Sequence, residues 1–216
     1  MFRSEFRSTF LYRCIYIAAN WFMDVFYDYS TSGSENIPPT GSVLLAANHV
    51  SFYDPPVIGA HANRQLNYFA RDSLFKGLLG RLIQSIGTIP VNREAADIKS
   101  LKTIFKVLKN GGAIVIFPEG TRSDNGKLTE PKSGTGMIAC KSQSTIIPIH
   151  IFGTYEVYGR HHKIPQLGGS IHVCYGSPVE TSTIDPGSDH PDRYQEASRR
   201  IMAEIAKLKA PETIVV

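Results

Sequence analysis

Short, uninterrupted apolar runs are the feature that most restricts this chain. Val43-Leu44-Leu45-Ala46-Ala47, Ala113-Ile114-Val115-Ile116-Phe117 and the longer Thr145–Phe152 are each bounded by turn-forming or polar residues. A run without polar alternation between such boundaries reads as a strand buried on both faces. Between the runs, apolar residues recur at helical spacing. Leu74, Phe75, Leu78, Leu79, Leu82, Ile83 and Ile86 mark a helix over Ser73–Ile86 that closes at Gly87. Ile98, Leu101, Ile104, Phe105 and Leu108 mark another over Ala95–Lys109, ended by Gly111-Gly112. Parallel strands need a crossover long enough to return the chain, and a helix supplies it. The class expected is therefore α/β, a single domain with a mixed, largely parallel sheet flanked by helices.

Weaker signals fill in the rest. Leu66–Ala70 and Thr88–Val91 read as strands, and Ser170–Tyr175 alternates as an edge strand would. Helices are expected over Pro56–Asn63, up to about Ser142 after Pro131, and over Arg193–Lys209. Residues 31–42 read as a connector and 153–169 as a loop. A chain of 216 residues suits one core.

Composition excludes some classes of function. A net charge of +4 and a pI near 8.9 favour anionic partners without choosing among them. No Lys/Arg run and no aromatic-basic alternation marks a nucleic-acid surface. Cys14, Cys140 and Cys174 lie far apart, which suits free thiols in a reducing compartment and offers no metal spacing. No metal is expected.

The first 30 residues are a separate problem. On a helical wheel Phe6, Phe10, Cys14, Ile17, Trp21 and Val25 form one stripe, and Arg13, Asn20 and Asp24 share a narrow polar side. The apolar arc is wider than a surface helix usually carries. Polar residues nevertheless break it before the ~18 apolar residues that would span a bilayer accumulate. An interfacial helix suits this pattern, with Trp21 and the tyrosines at headgroup depth and Arg3, Arg7 and Arg13 toward anionic lipid. A helix buried in the core or in a dimer interface suits it as well. The first reading divides the chain into a membrane-associating segment, 1–30, and a catalytic or binding domain, 31–216.

Two strand ends carry candidate chemistry. Asn48-His49-Val50-Ser51-Phe52-Tyr53-Asp54 follows the first apolar run, and Pro55-Pro56 after Asp54 suits a helix start with Asp54 as its N-cap. Five residues on one helix diverge by roughly 140°, so His49 and Asp54 meet only if the chain turns between them. A carboxylate on one ring nitrogen would leave the other free as a base. A loop histidine followed by an ordinary capping aspartate is the plainer alternative. Pro118-Glu119-Gly120-Thr121-Arg122-Ser123 follows the second run. Its glycine, hydroxyls and arginine suit an anion site, and equally a charged turn. If the strands before His49 and Glu119 are neighbours, both loops open into one crevice.

Taken together, these residues resemble the glycerolipid acyltransferase family, in particular the 1-acyl-glycerol-3-phosphate acyltransferases. Asn48, His49 and Asp54 match the family's first motif, Phe117–Ser123 the third, and Ile146-Ile147-Pro148-Ile149 the fourth, while Lys132 and Gly134 match the lysine-glycine element. Gly87 to Arg93 matches the second motif, with Pro90-Val91-Asn92 where an aromatic and a charged residue are usual. The resemblance implies acyl transfer from acyl-CoA or acyl carrier protein to lysophosphatidate. It makes His49 the general base and Asp54 its orienting partner. Arg93 and Arg122 become the phosphate ligands, with Lys76, Gly120 and Thr121 as helpers. Glu119 would position the site by pairing with an arginine or accepting from a glycerol hydroxyl. Another lysolipid or glycerol 3-phosphate as acceptor, or a lipid-phosphate binding module without catalysis, are the alternatives. No cofactor is implied beyond the thioester co-substrate, and the place implied is the cytoplasmic face of a membrane, held peripherally.

Overall fold

The computed structural model describes residues 10–77, 80, 81, 83, 88–91 and 98–211. Seven strands form its sheet: β1 (Asp28–Ser32), β2 (Val43–Ala47), β3 (Leu66–Arg71), β4 (Thr88–Val91), β5 (Ala113–Ile116), β6 (Thr145–Phe152) and β7 (Ser170–Tyr175). Their spatial order is β1-β7-β6-β2-β5-β3-β4. β6, β2, β5, β3 and β4 are mutually parallel, whereas β7 runs antiparallel to β6 and carries β1 parallel to itself. The expected mixed, largely parallel sheet is what forms.

β2 lies at the centre, and all five of its residues are buried. Successive side chains point to opposite faces. Val43, Leu45 and Ala47 join one core layer, with α1 (Phe10–Phe26) and α2 (Asp54–Ala60) over it. Leu44 and Ala46 join the other, under α3 (Ile98–Lys109), α4 (Ser133–Ser142) and α7 (Arg193–Lys207). Two covered faces are why these runs show no polar alternation.

Several expectations need correction. Residues 28–32, assigned to the leading helix and the connector, form the edge strand β1, so Ser170–Tyr175 is not an edge. The boundary drawn at residue 30 falls inside that strand. The loop over 153–169 contains a short helix, α5 (Thr154–Tyr158), and a further turn of helix, α6 (Thr181–Ile184), precedes α7. Of the helix expected over Ser73–Ile86, residues 77, 80, 81 and 83 are helical and 78, 79, 82 and 84–86 lie outside the described residues, while its start is taken by a 3-10 turn, Asp72–Leu74.

α1 divides its faces. Met23 is buried, and Phe22 and Phe26 pack against the core with it, so a wholly detached helix is excluded. Along the expected stripe, Ile17 is 65% exposed, Trp21 63% and Val25 52%. Among the described residues no helix is long and apolar enough to cross a membrane.

Candidate active site

β2 and β5 are hydrogen-bonded neighbours and parallel, so the loops that leave their carboxyl ends emerge side by side. The His49 loop and the Phe117–Ser123 loop are stitched together directly. Ser123 N–H donates to the His49 carbonyl at 2.7 Å, and the His49 ring stacks on Phe117 with centroids 4.0 Å apart. Asn48 ties the first loop to β6 in the same way, since its amide donates to Ile151 O and accepts from Ile151 N.

Between them the chain turns as the spacing required. His49 Nδ1 and Asp54 Oδ2 lie 2.7 Å apart, with the aspartate fully buried and the histidine side chain 13% exposed. Oδ2 also accepts the Val50 and Ser51 backbone N–H groups at 2.7 and 2.8 Å. The expectation that Asp54 caps α2 is therefore corrected. Its carboxylate turns back toward the loop, and Tyr53 occupies the cap position. With the Asp54 carboxylate as acceptor, Nδ1 carries the proton and Nε2 presents its lone pair.

Glu119 is expected to position the site, and its partners here are backbone and hydroxyl donors of the chain. It is buried; Oε1 accepts the His49 backbone N–H at 2.8 Å, and Oε2 accepts from Thr129 N at 3.0 Å and from Thr129 Oγ1. Neither an arginine nor a glycerol hydroxyl is needed to satisfy it. It fixes the backbone of the histidine.

Gly120 adopts φ +70°, a conformation an L side chain rarely takes, and its N–H donates to Phe117 O within the turn. That N–H is used inside the loop. The Lys132 side chain lies across Gly120, close enough that a Cβ there would meet Lys132 Cδ at 3.0 Å. Thr121 is exposed on the same loop. Arg122 is held with its guanidinium carbon 3.5 Å from the centre of the Phe52 ring, a cation–π contact that joins the two loops again. Lys76 is exposed beyond the carboxyl end of β3, at the same edge of the sheet. Arg93 lies outside the described residues; β4 ends at Val91 on that edge.

Two residues of the site escaped the sequence reading. Thr154 Oγ1 donates to Asp54 Oδ1 at 2.7 Å from the start of α5, and both side chains are buried. Thr129 holds Glu119. Neither sits in a patterned stretch, so only their contacts reveal them.

Thr154 apart, the described residues that compose the site fall within a segment with known counterparts. Residues 29–152, more than half of the chain, match the family model described as Acyltransferase. The chain belongs to the acyltransferase family. It is 32% identical over 134 residues to the 1-acyl-sn-glycerol-3-phosphate acyltransferase of Borreliella burgdorferi, covering 59% of this chain and 52% of that one. It is 26% identical over 164 residues to the chloroplast enzyme of that name from Arabidopsis thaliana, covering 74% and 46%. This chain thus spans about half the length of these curated relatives. Its fold superposes on the crystal structure of the 1-acyl-sn-glycerophosphate acyltransferase of Thermotoga maritima with a TM-score of 0.75 at 25% identity, covering 93% of this chain and 82% of that one.

Proposed function

We propose that this acyltransferase moves a fatty acyl group from an acyl thioester to the free hydroxyl of lysophosphatidate, giving phosphatidate. The observation that carries the reading is the His49–Asp54 pair at 2.7 Å, its aspartate buried, set where the Phe117–Ser123 loop meets the His49 loop. His49 Nε2 takes the proton of the acceptor hydroxyl as its oxygen attacks the thioester carbonyl. Asp54 holds the ring and stabilises the imidazolium. The tetrahedral intermediate collapses with cleavage of the C–S bond, and the imidazolium returns its proton to the departing thiolate. The acceptor hydroxyl takes the place a serine holds in a Ser-His-Asp triad, so no acyl-enzyme forms.

The acceptor phosphate is bound by Arg122, with Arg93 by family resemblance and Lys76 and Lys132 as further cations at that edge. Relatives named for acylating 1-acyl-sn-glycerol-3-phosphate support this acceptor. The donor is acyl-CoA or acyl carrier protein, consumed as a co-substrate. The exposed Ile17, Trp21 and Val25 of α1 rest in the interfacial layer of a membrane, and the enzyme works peripherally on its cytoplasmic face, where lysolipid and thioester meet.

The test is thiol release from each donor, measured with lysophosphatidate, with a monoacylglycerol lacking the phosphate, and with no acceptor. Release should depend on lysophosphatidate and fall about a hundredfold or more in His49→Ala, the order expected for loss of a general base. Equal release with monoacylglycerol would remove phosphate recognition, and acceptor-independent release would remove the transferase.

A further inference from the structure

Beyond α5 the chain leaves the core and carries, among the described residues, its two most exposed large hydrophobic side chains, Ile164 at 74% and Leu167 at 67%. A surface loop built from Pro, Gln and Gly has no need of aliphatic tips. Nor does this one hang loose. Gln166 N–H donates to Val157 O, Gly168 N–H donates to Phe26 O at 2.9 Å, and Asp28 N–H donates to Gly169 O at 3.0 Å. The last two bonds join the loop to the carboxyl end of α1, next to exposed Val25, and to the first residue of β1.

The other end of the segment is tied to the active-site loops. Gly159 forms an antiparallel bridge with Ser51, and Ser51 Oγ donates to Tyr158 O at 2.8 Å. Arg160 Nη1 reaches Asp124 Oδ1 at 3.0 Å and the Arg122 carbonyl at 3.4 Å. One segment therefore connects the exposed apolar stripe of α1 to both loops that build the site.

Its charge is one-sided. Residues 159–169 contain Arg160, His161, His162 and Lys163 and no carboxylate; Lys163 is exposed and adjoins Ile164. Aliphatic tips next to a lysine suit a surface that is apolar within and anionic outside, which is an acidic lipid bilayer.

We propose that residues 159–169 form a second lipid contact, in which Ile164 and Leu167 enter the boundary between headgroups and acyl chains beside α1 while Lys163 meets anionic headgroups. The inference rests on the membrane reading of α1 and extends it. Two contacts, one on each side of the Phe26–Gly168 junction, fix the orientation of the domain on the bilayer, which a single helix does not. They set the mouth of the His49 crevice at headgroup depth, where a lysolipid presents its hydroxyl.

The experiment is flotation of the full chain with vesicles of phosphatidylcholine containing phosphatidylglycerol, for wild type, an Ile164→Asp/Leu167→Asp variant and a Trp21→Asp/Val25→Asp variant. Acyl transfer is measured in parallel on lysophosphatidate in vesicles and on a short-chain, monomeric lysophosphatidate. Thermal melting of each variant reports folding, which exposed positions leave unchanged. We expect the loop variant to lose vesicle binding and vesicle-dependent rate by about tenfold, with the rate on monomeric acceptor within about twofold of wild type. A loop variant that floats and turns over in vesicles like wild type, while the α1 variant does not, overturns this contact and leaves the α1 reading standing. A wild type that does not float overturns both. A loop variant that floats normally but loses activity only with the carrier-protein thioester also overturns the lipid contact, and gives the surface to a protein partner.

Discussion

At the scale of single residues, Asp54 accepts three hydrogen bonds through Oδ2, from His49, Val50 and Ser51, and a fourth through Oδ1 from Thr154. Such a carboxylate has one rotamer open to it, and the imidazole it holds inherits that order. Thr154 supplies the bond that comes from outside the motif, 100 residues away along the chain. Replacing it with valine keeps the shape and leaves a buried carboxylate oxygen short of a partner, a loss of about 1.5–3 kcal/mol for a bond to a charged group. We expect Thr154→Val to lower kcat by about tenfold or more with the thioester KM within about twofold, and Thr154→Ser to restore most of it. Steady-state kinetics of both variants decide this. An unchanged kcat in the valine variant would reduce Thr154 to packing. The spacing of Asn48-His49…Asp54 left the pair open, and the motif's resemblance to the family is what implied it. Thr154 was not legible, because a lone threonine after a strand carries no pattern.

At the scale of elements, β1 shows how a polar strand is held. Asp28-Tyr29-Ser30-Thr31-Ser32 has no apolar alternation, so sequence periodicity passes over it. What pins it is the buried His172 of β7, whose Nδ1 and Nε2 each lie 2.9 Å from a serine hydroxyl, Ser30 and Ser32 respectively. Burial holds the His172 imidazole below its ordinary value, and His150 is lowered by the same cause. The native state therefore binds these protons less readily than the unfolded chain. Their contribution to stability is present above about pH 6.5 and is lost as the pH falls below it. Urea unfolding at pH 7.5 and 5.5 should show a lower midpoint at the acid value, with a smaller difference in His172→Gln. An equal difference in both proteins would show that His172 takes no part.

At the scale of the whole molecule, α1 meets the active-site loop through aromatic rings. Phe22, Tyr27, Tyr53 and Tyr158 form edge contacts with centroids 5.3–6.5 Å apart, and Tyr53 immediately precedes Asp54. Burial first, and then the neighbouring Tyr27 hydroxyl, raise the Tyr53 phenol well above its ordinary value, so it stays neutral. The face of α1 turned inward is thus structural, and the face turned outward is free for another surface. Trp21→Asp/Val25→Asp should therefore leave the thermal midpoint within a few degrees of wild type, since exposed substitutions usually cost under about 0.5 kcal/mol. The same pair of changes should abolish vesicle flotation. A variant that melts far lower would mean that the stripe packs on protein.

Sequence alone was enough for the α/β class and the central strands, because hydrophobic periodicity is a local property that the chain writes in consecutive residues, while the pairing of His49 with Asp54 came from the family resemblance of their motif. The sequence also placed Glu119 and Arg122 on a loop at a strand end. Tertiary structure alone decided that β2 and β5 are neighbours, that Glu119 serves the backbone of His49, that Gly120 spends its N–H within its own turn, and that Asp28–Ser32 is a strand. Each of those depends on which partner lies opposite across the sheet or the crevice. Strand order and hydrogen-bond partners between distant segments are settled by packing the whole chain, and no local pattern encodes them.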